Sequence, residues 1–294
     1  MERSQVRLVS RLLGAVLLGV CCVLAVQWMR PGSSSGARSS APPPTPPAAS
    51  APLAAFAGPD APLSGRGTVF DGMPSVGALF LTDPDGRSTH HHNCTATVVA
   101  SPAGNLLATA AHCLSDPAAG LPASPTAPIL FVPGYHDGRE PYGEWAVSRV
   151  LVDPHWAADS DPDYDVAFLV VHRIGAPADR LADLVGAQAV GFGRQRPLPV
   201  GAVGYPTGTE EPVSCHNTLA VRSATQSEFD CTGFAAGSSG GPMLAGVDPR
   251  SGLGTLVGVI GGYQQGGDTP DVSYACTFGD AVRALYAQAV AAAS

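Results

Sequence analysis

Gly237-Ser238-Ser239-Gly240-Gly241-Pro242, preceded by Cys231-Thr232-Gly233-Phe234-Ala235-Ala236, is the most informative stretch of this 294-residue chain. A serine among glycines can sit on a tight turn with its hydroxyl exposed, and the backbone amides of Gly237 and Ser239 can then converge on one point, as a developing oxyanion requires. On its own the stretch reads equally well as a Gly/Ser surface loop. Upstream lies Leu106-Leu107-Ala108-Thr109-Ala110-Ala111-His112-Cys113, an apolar run that ends in a histidine beside a cysteine that can be stapled to Cys94. A histidine held in this way can keep hydrogen-bond reach to a serine, which is what a general base needs. Between the two, Tyr164-Asp165-Val166-Ala167-Phe168-Leu169 carries an aspartate into an apolar run. Burying that carboxylate is costly unless it accepts hydrogen bonds, and an imidazole N–H is a suitable donor. Asp163 is its nearest rival but belongs to the turn Asp161-Pro162-Asp163, which reads as solvated.

The Thr-Ala-Ala-His-Cys and Gly-x-Ser-Gly-Gly-Pro segments resemble the catalytic histidine and serine motifs of the chymotrypsin-like serine proteases. The resemblance implies an all-β fold of two antiparallel β-barrels, the first supplying His112 and Asp165 and the second Ser239, with a boundary near 173–187. It implies a His112–Asp165–Ser239 triad, an acyl-enzyme intermediate, an oxyanion hole at the Gly237 and Ser239 amides and protein or peptide substrates, with no cofactor or metal. It puts the floor of the specificity pocket at Gly233 and Phe234 and one wall at Gly261, Gly262 and Tyr263. Gly233 stands where a trypsin-like enzyme has its acidic floor, so a Lys or Arg preference is not implied; Asp268 and Asp271 read as solvated turn residues.

Two departures from animal members stand out. Ser238 takes the place of the aspartate that precedes their nucleophile, and no Ile-Val-Gly-Gly start is present, Thr68-Val69-Phe70-Asp71-Gly72 being the nearest piece. The pattern is closer to bacterial secreted members. The alternative from another class is a catalytically inactive protease-like module that binds peptides in the same cleft. An esterase of unrelated fold would have Gly-x-Ser-x-Gly with the acid and histidine after the serine, whereas here both precede it.

Away from these motifs, strand-like apolar segments at 76–80, 95–99, 106–110, 129–132, 166–171, 200–203 and 256–260 are separated by turns such as Asp83-Pro84-Asp85-Gly86. Val282, Leu285, Tyr286 and Val290 have helical spacing, so 278–293 is predicted as a C-terminal helix. The expected disulfides are Cys94 with Cys113 and Cys215 with Cys231, which leaves Cys276 single. No Cys-x-x-Cys pair is present to suggest a metal, and His90-His91-His92 reads as an exposed polar turn.

The formal net charge is −8 and every basic side chain is an arginine, five of them before residue 39. The remainder is more acidic still, which excludes a phosphate-binding surface and hence nucleic acid as a partner. Residues 12–29 are almost wholly apolar and follow Arg3, Arg7 and Arg11, so 1–30 reads as a membrane anchor, with a cleaved signal segment as the alternative. Cys21 and Cys22 inside it read as buried apolar residues. A Pro/Ala/Ser-rich linker fills 31–66 and the protease domain 67–294, which places the catalytic part outside the cytoplasm. The sequence is silent on oligomeric state.

Overall fold

Strand-length apolar runs, each buried on one or both faces, dominate the architecture. The computed structural model describes residues 62–82, 92–114 and 129–294. The first set of strands is β1 (Thr68–Val69), β2 (Val76–Leu81), β3 (Cys94–Val99), β4 (Leu106–Thr109), β5 (Ile129–Pro133), β6 (Trp145–Val152) and β7 (Ala167–Arg173). The second is β8 (Ala189–Val190), β9 (Leu198–Gly204), β10 (Val213–Val221), β11 (Gln226–Asp230), β12 (Pro242–Ala245), β13 (Thr255–Val259) and β14 (Val272–Cys276). Among the described residues three α-helices accompany them: α1 (Pro154–Asp159), α2 (Leu181–Val185) and α3 (Asp280–Ala293).

Strands β2-β3-β4-β7-β6-β5 close into a barrel. Alternate residues along them serve two cores, as the two-residue repeat of a strand dictates. Leu79, Ala96, Val98, Leu107, Phe131 and Leu169 cluster with Trp145 within this first unit. Their neighbours Ala78, Phe80, Leu106, Leu130 and Phe168 meet Val203, Tyr205 and Leu244 of the second sheet and Val282 and Leu285 of α3. Burial on both faces explains why these strands read as continuous apolar runs rather than as alternating ones.

The second sheet has eight strands in the order β14-β11-β10-β9-β12-β13-β8, with β1 added on β10. It is antiparallel apart from β8, which runs parallel to β13. Just beyond β13, Gly261 N donates to Tyr274 O of the edge strand β14 at 2.9 Å, which curls the sheet toward the barrel that the resemblance implies. Helix α3 follows β14 yet packs on β4, β6 and β7 of the first barrel, and Tyr286 Oη there donates to Ala100 O.

Both expected disulfides are present, Cys94–Cys113 and Cys215–Cys231, with Cα atoms 6.0 and 6.5 Å apart. Cys276 is free and buried. Pairing onto the second sheet begins before residue 67: Ser64 N donates to His216 O at 2.8 Å and Gly67 N to Thr232 O at 2.7 Å. Among the described residues no helix is long and apolar enough to cross a membrane. The predicted anchor at 1–30, the linker as far as residue 61, the turn at 83–86, and His90 and His91 lie outside the described residues.

Candidate active site

His112 and Asp165 both come from the first barrel. Strand β4 is buried along its length and runs into a single 3-10 turn, Ala111–Leu114, whose Cys113 is tied back to the start of β3 by the disulfide. That turn fixes the His112 backbone. Asp165 closes another 3-10 turn, Pro162–Tyr164, two residues before β7; the Asp161 carboxylate caps the turn by accepting from Asp163 N at 3.0 Å. The Asp165 side chain is wholly buried and accepts three hydrogen bonds: His112 N at 2.9 Å, His112 Nδ1 at 2.7 Å and Gly262 N at 2.7 Å. A buried carboxylate satisfied in this way is retained as an acceptor, and it fixes the Nδ1–H tautomer of His112, leaving Nε2 with its lone pair toward the cleft.

Ser239 lies on the turn before β12, in the second sheet. Gly237 has φ +92° and presses against Tyr205 O, where a Cβ would come within 2.6 Å, so the turn admits only glycine at this point. The Ala236 carbonyl accepts from Thr207 N at 2.6 Å. Because a peptide unit is planar and trans, turning that carbonyl toward Thr207 directs the Gly237 N–H to the opposite side. Among the described residues neither Gly237 N nor Ser239 N has a protein acceptor, so two amide donors remain available beside the Ser239 hydroxyl. Ser239 Oγ itself donates to Gln265 O at 3.5 Å and makes no hydrogen bond to His112.

His112 and Ser239 face the same cleft of about 490 Å³, lined also by Asn93, Phe234, Gln264, Asp268 and Pro270 among others. The trypsin-like peptidase domain, as a family model, matches residues 94–259. The chain belongs to that family. The solved structures similar to this trypsin-like peptidase include the protease Anisep from Arthrobacter nicotinovorans, 26% identical with a TM-score of 0.64, covering 76% of this chain and 99% of that one. A thermostable serine protease, AL20, from an extremophilic microorganism is also 26% identical, with a TM-score of 0.61 and coverage of 74% and 97%. A Glu endopeptidase shares the fold at 18% identity and a TM-score of 0.58, covering 77% and 97%. No curated protein matches the chain in sequence.

Of the residues read as a specificity pocket, this trypsin-like peptidase places Phe234 in the lining of the cleft and leaves Gly233, Gly261, Gly262 and Tyr263 outside it. Gly261 and Gly262 lie against Asp165: a Cβ on Gly261 would lie 2.9 Å from Asp165 Oδ2, and Gly262 N is the third donor to the carboxylate, sharing that oxygen with His112 Nδ1. Tyr263 stacks outside under Arg222, whose guanidinium carbon is 3.9 Å from the ring centroid. Asp268, read as a solvated turn residue, is the one carboxylate of the lining, although its side chain is exposed; Gln264 Nε2 donates to it.

Thr95 and Gln226 escaped the sequence reading of this peptidase. Thr95 is fully buried, and its hydroxyl donates to Gly237 O at 3.0 Å while accepting from Tyr205 N at 2.9 Å. Its position directly after Cys94 in an apolar strand was the only signal, and β-branched residues are ordinary there. His92 is not exposed as the triple-histidine turn suggested. It is buried among Phe80, Tyr135 and Tyr205, with Nε2 2.9 Å from Thr209 O, because an aromatic cluster at the barrel interface takes up its ring. Cys94, His112 and Cys113 bring ligand-type atoms within 4.8 Å of one another, but the two sulfurs are spent in a disulfide and offer no thiolate to a metal.

Proposed function

We propose that this protein is an extracytoplasmic serine endopeptidase in which Ser239 is the nucleophile, His112 the general base and Asp165 the group that orients the histidine. Above all, the buried Asp165 carboxylate supports this reading: it holds His112 Nδ1 at 2.7 Å while His112 and Ser239 share one cleft. As Ser239 Oγ attacks a peptide carbonyl carbon, His112 Nε2 takes its proton, and the Gly237 and Ser239 amides receive the tetrahedral oxyanion. The imidazolium then protonates the departing amine as the C–N bond breaks, leaving an acyl-enzyme. A water deprotonated by the same Nε2 attacks the ester, and Ser239 leaves with the proton returned to it. Ser239 Oγ rests on the Gln265 carbonyl at 3.5 Å, and the hydroxyl turns from it to His112 when a substrate enters; such catalytic hydrogen bonds commonly tighten only in the substrate complex.

The same reading divides the chain into an N-terminal anchor at 1–30, a linker at 31–66 and the protease domain at 67–294, with the two barrels meeting near 173–187. Two disulfides favour an oxidising compartment for that domain. Fluorophosphonate labelling of the full chain, alongside Ser239→Ala and His112→Ala, tests the chemistry. Labelling at Ser239, together with internal cleavage of peptides from a diverse library, both lost in the two variants, is the expected result. A folded wild-type protein that neither labels nor cleaves would overturn the catalytic reading and favour a peptide-binding module.

A further inference from the structure

Outside the triad, the most fully employed polar side chain near the site is Gln226 of β11. It is 6% exposed, and each of its hydrogen-bonding groups has a partner. Nε2 donates to Pro162 O at 3.0 Å and to Asp163 Oδ1 at 2.7 Å, while Oε1 accepts from Tyr263 N at 3.1 Å. The amide can face only one way, since a carboxylate and a carbonyl need the NH2 and a backbone N–H needs the oxygen. Pro162 and Asp163 belong to the first barrel and form the turn that Asp165 closes. Tyr263 follows Gly262, whose amide is one of the three donors to Asp165. One side chain from the second sheet therefore braces both walls of the site that holds Asp165.

The fit is close. A Cβ on Gly262 would lie 2.5 Å from Gln226 Oε1, and Gly262 has φ +79°, so the chain passes Gln226 at contact distance in a backbone conformation suited to glycine. An apolar side chain of the same length would fill the volume but would leave the Tyr263 N–H and the Asp163 carboxylate without this partner.

We propose that Gln226 is a positioning residue for the reaction: by joining the Pro162–Asp163 turn to Tyr263 it keeps Asp165 in register with His112. This rests on the triad reading above. Gln226 touches neither His112 nor Ser239, so its loss acts on the chemical step through Asp165 and spares substrate binding.

Three variants of the full chain test it: Gln226→Met, Gln226→Glu, and Gln226→Glu combined with Asp163→Asn. Gln226→Met is expected to lower kcat by roughly ten- to a hundredfold, the scale on which small misplacements of catalytic groups act, with KM within about twofold of wild type. Gln226→Glu sets two carboxylates against each other and is expected to be worse. Adding Asp163→Asn reverses the donor and acceptor of that contact and is expected to restore at least about tenfold of the loss. Activity is expressed per fluorophosphonate-titrated site, so that misfolded protein does not count. A kcat for Gln226→Met within about twofold of wild type, a loss shared equally by kcat and KM, or no recovery in the double variant overturns the proposal. If the wild-type chain itself fails to label, the triad reading falls first. The Gln226–Asp163 brace is then read from a double-mutant cycle on chemical unfolding, where absence of coupling removes it as well.

Discussion

Replacing Thr95 by valine removes one hydroxyl and keeps the shape of the side chain. That hydroxyl joins the first barrel to the turn before Ser239, donating to Gly237 O at 3.0 Å and accepting from Tyr205 N at 2.9 Å. Thr95 and Tyr205 are both fully buried, and Gly237 is buried as well, so water cannot take over either bond. Two orphaned backbone groups at about 1–3 kcal/mol each give a loss of about 2–6 kcal/mol. A methyl carbon placed at those separations is also closer than carbon packing favours, which adds strain rather than relief. In a domain of this size the loss corresponds to roughly 5–20 °C in Tm. The Gly237 peptide is freed at the same time, and kcat is expected to fall by at least about tenfold, a part of what removal of a whole oxyanion donor costs. Urea unfolding and peptide hydrolysis by wild type, Thr95→Val and Thr95→Ser measure both effects. Serine keeps the hydroxyl and is expected to lose only about 1 kcal/mol, for its missing methyl. A valine variant within about 1 kcal/mol of wild type with unchanged kcat would refute this account of the barrel junction.

Asp165→Asn presents an NH2 to one of two fixed backbone donors, His112 N–H or Gly262 N–H, whichever way the amide turns. Turning it toward His112 Nδ1 selects the wrong tautomer, and a fall in kcat of about 10⁴-fold is expected; a fall under tenfold would remove Asp165 from the triad. Burial pushes the Cys276 thiol and the Tyr205 phenol upward, so the unfolded chain releases these protons first as the pH rises. Stability is therefore complete below about pH 9 and declines above it, and Cys276→Ala is expected to flatten the first part of that decline in urea midpoints taken across alkaline pH. Asp268→Asn is expected to lower kcat/KM for peptides with arginine at the scissile bond relative to citrulline, by no more than about fivefold because the carboxylate is exposed; an unchanged ratio would show that Asp268 does not meet the substrate.

The segments that read most clearly were those with strong local signals. Every apolar run named as a strand lies on one, and the helical spacing of Val282, Leu285, Tyr286 and Val290 lies on α3. Strands β1, β6, β8, β10, β11, β12 and β14 did not stand out. Gln226-Ser227-Glu228-Phe229-Asp230, for example, is mostly polar and becomes a strand through its pairing with β10 and β14, a non-local cause that no window of sequence contains. The motifs singled out His112, Asp165 and Ser239, and the resemblance put Gly261 and Gly262 in a pocket wall. In the fold their lack of side chains serves the close approach of Asp165 and Gln226. Thr95 and Gln226 carry no motif because their partners, Gly237 and Asp163, are far along the chain.

The junction between the barrels has a mechanical consequence. Thr95 N binds Ser239 O at 2.8 Å, the Thr95 hydroxyl binds Gly237 O, and Gly262 reaches Asp165, so the line along which the halves meet is stitched at the residues of the proposed triad. Such a seam cannot act as a hinge without taking the chemistry apart. Adaptation to different substrates falls instead to the rim, where Gln264 and Gln265 at φ 52° and then Gly266 and Gly267 run in left-handed conformations beside Ser239. Replacing Gln264 and Gln265 would change what the cleft admits while leaving the stitched seam whole, whereas a Cβ on Gly267 would lie 2.3 Å from Val272 O, so that turn keeps its glycine.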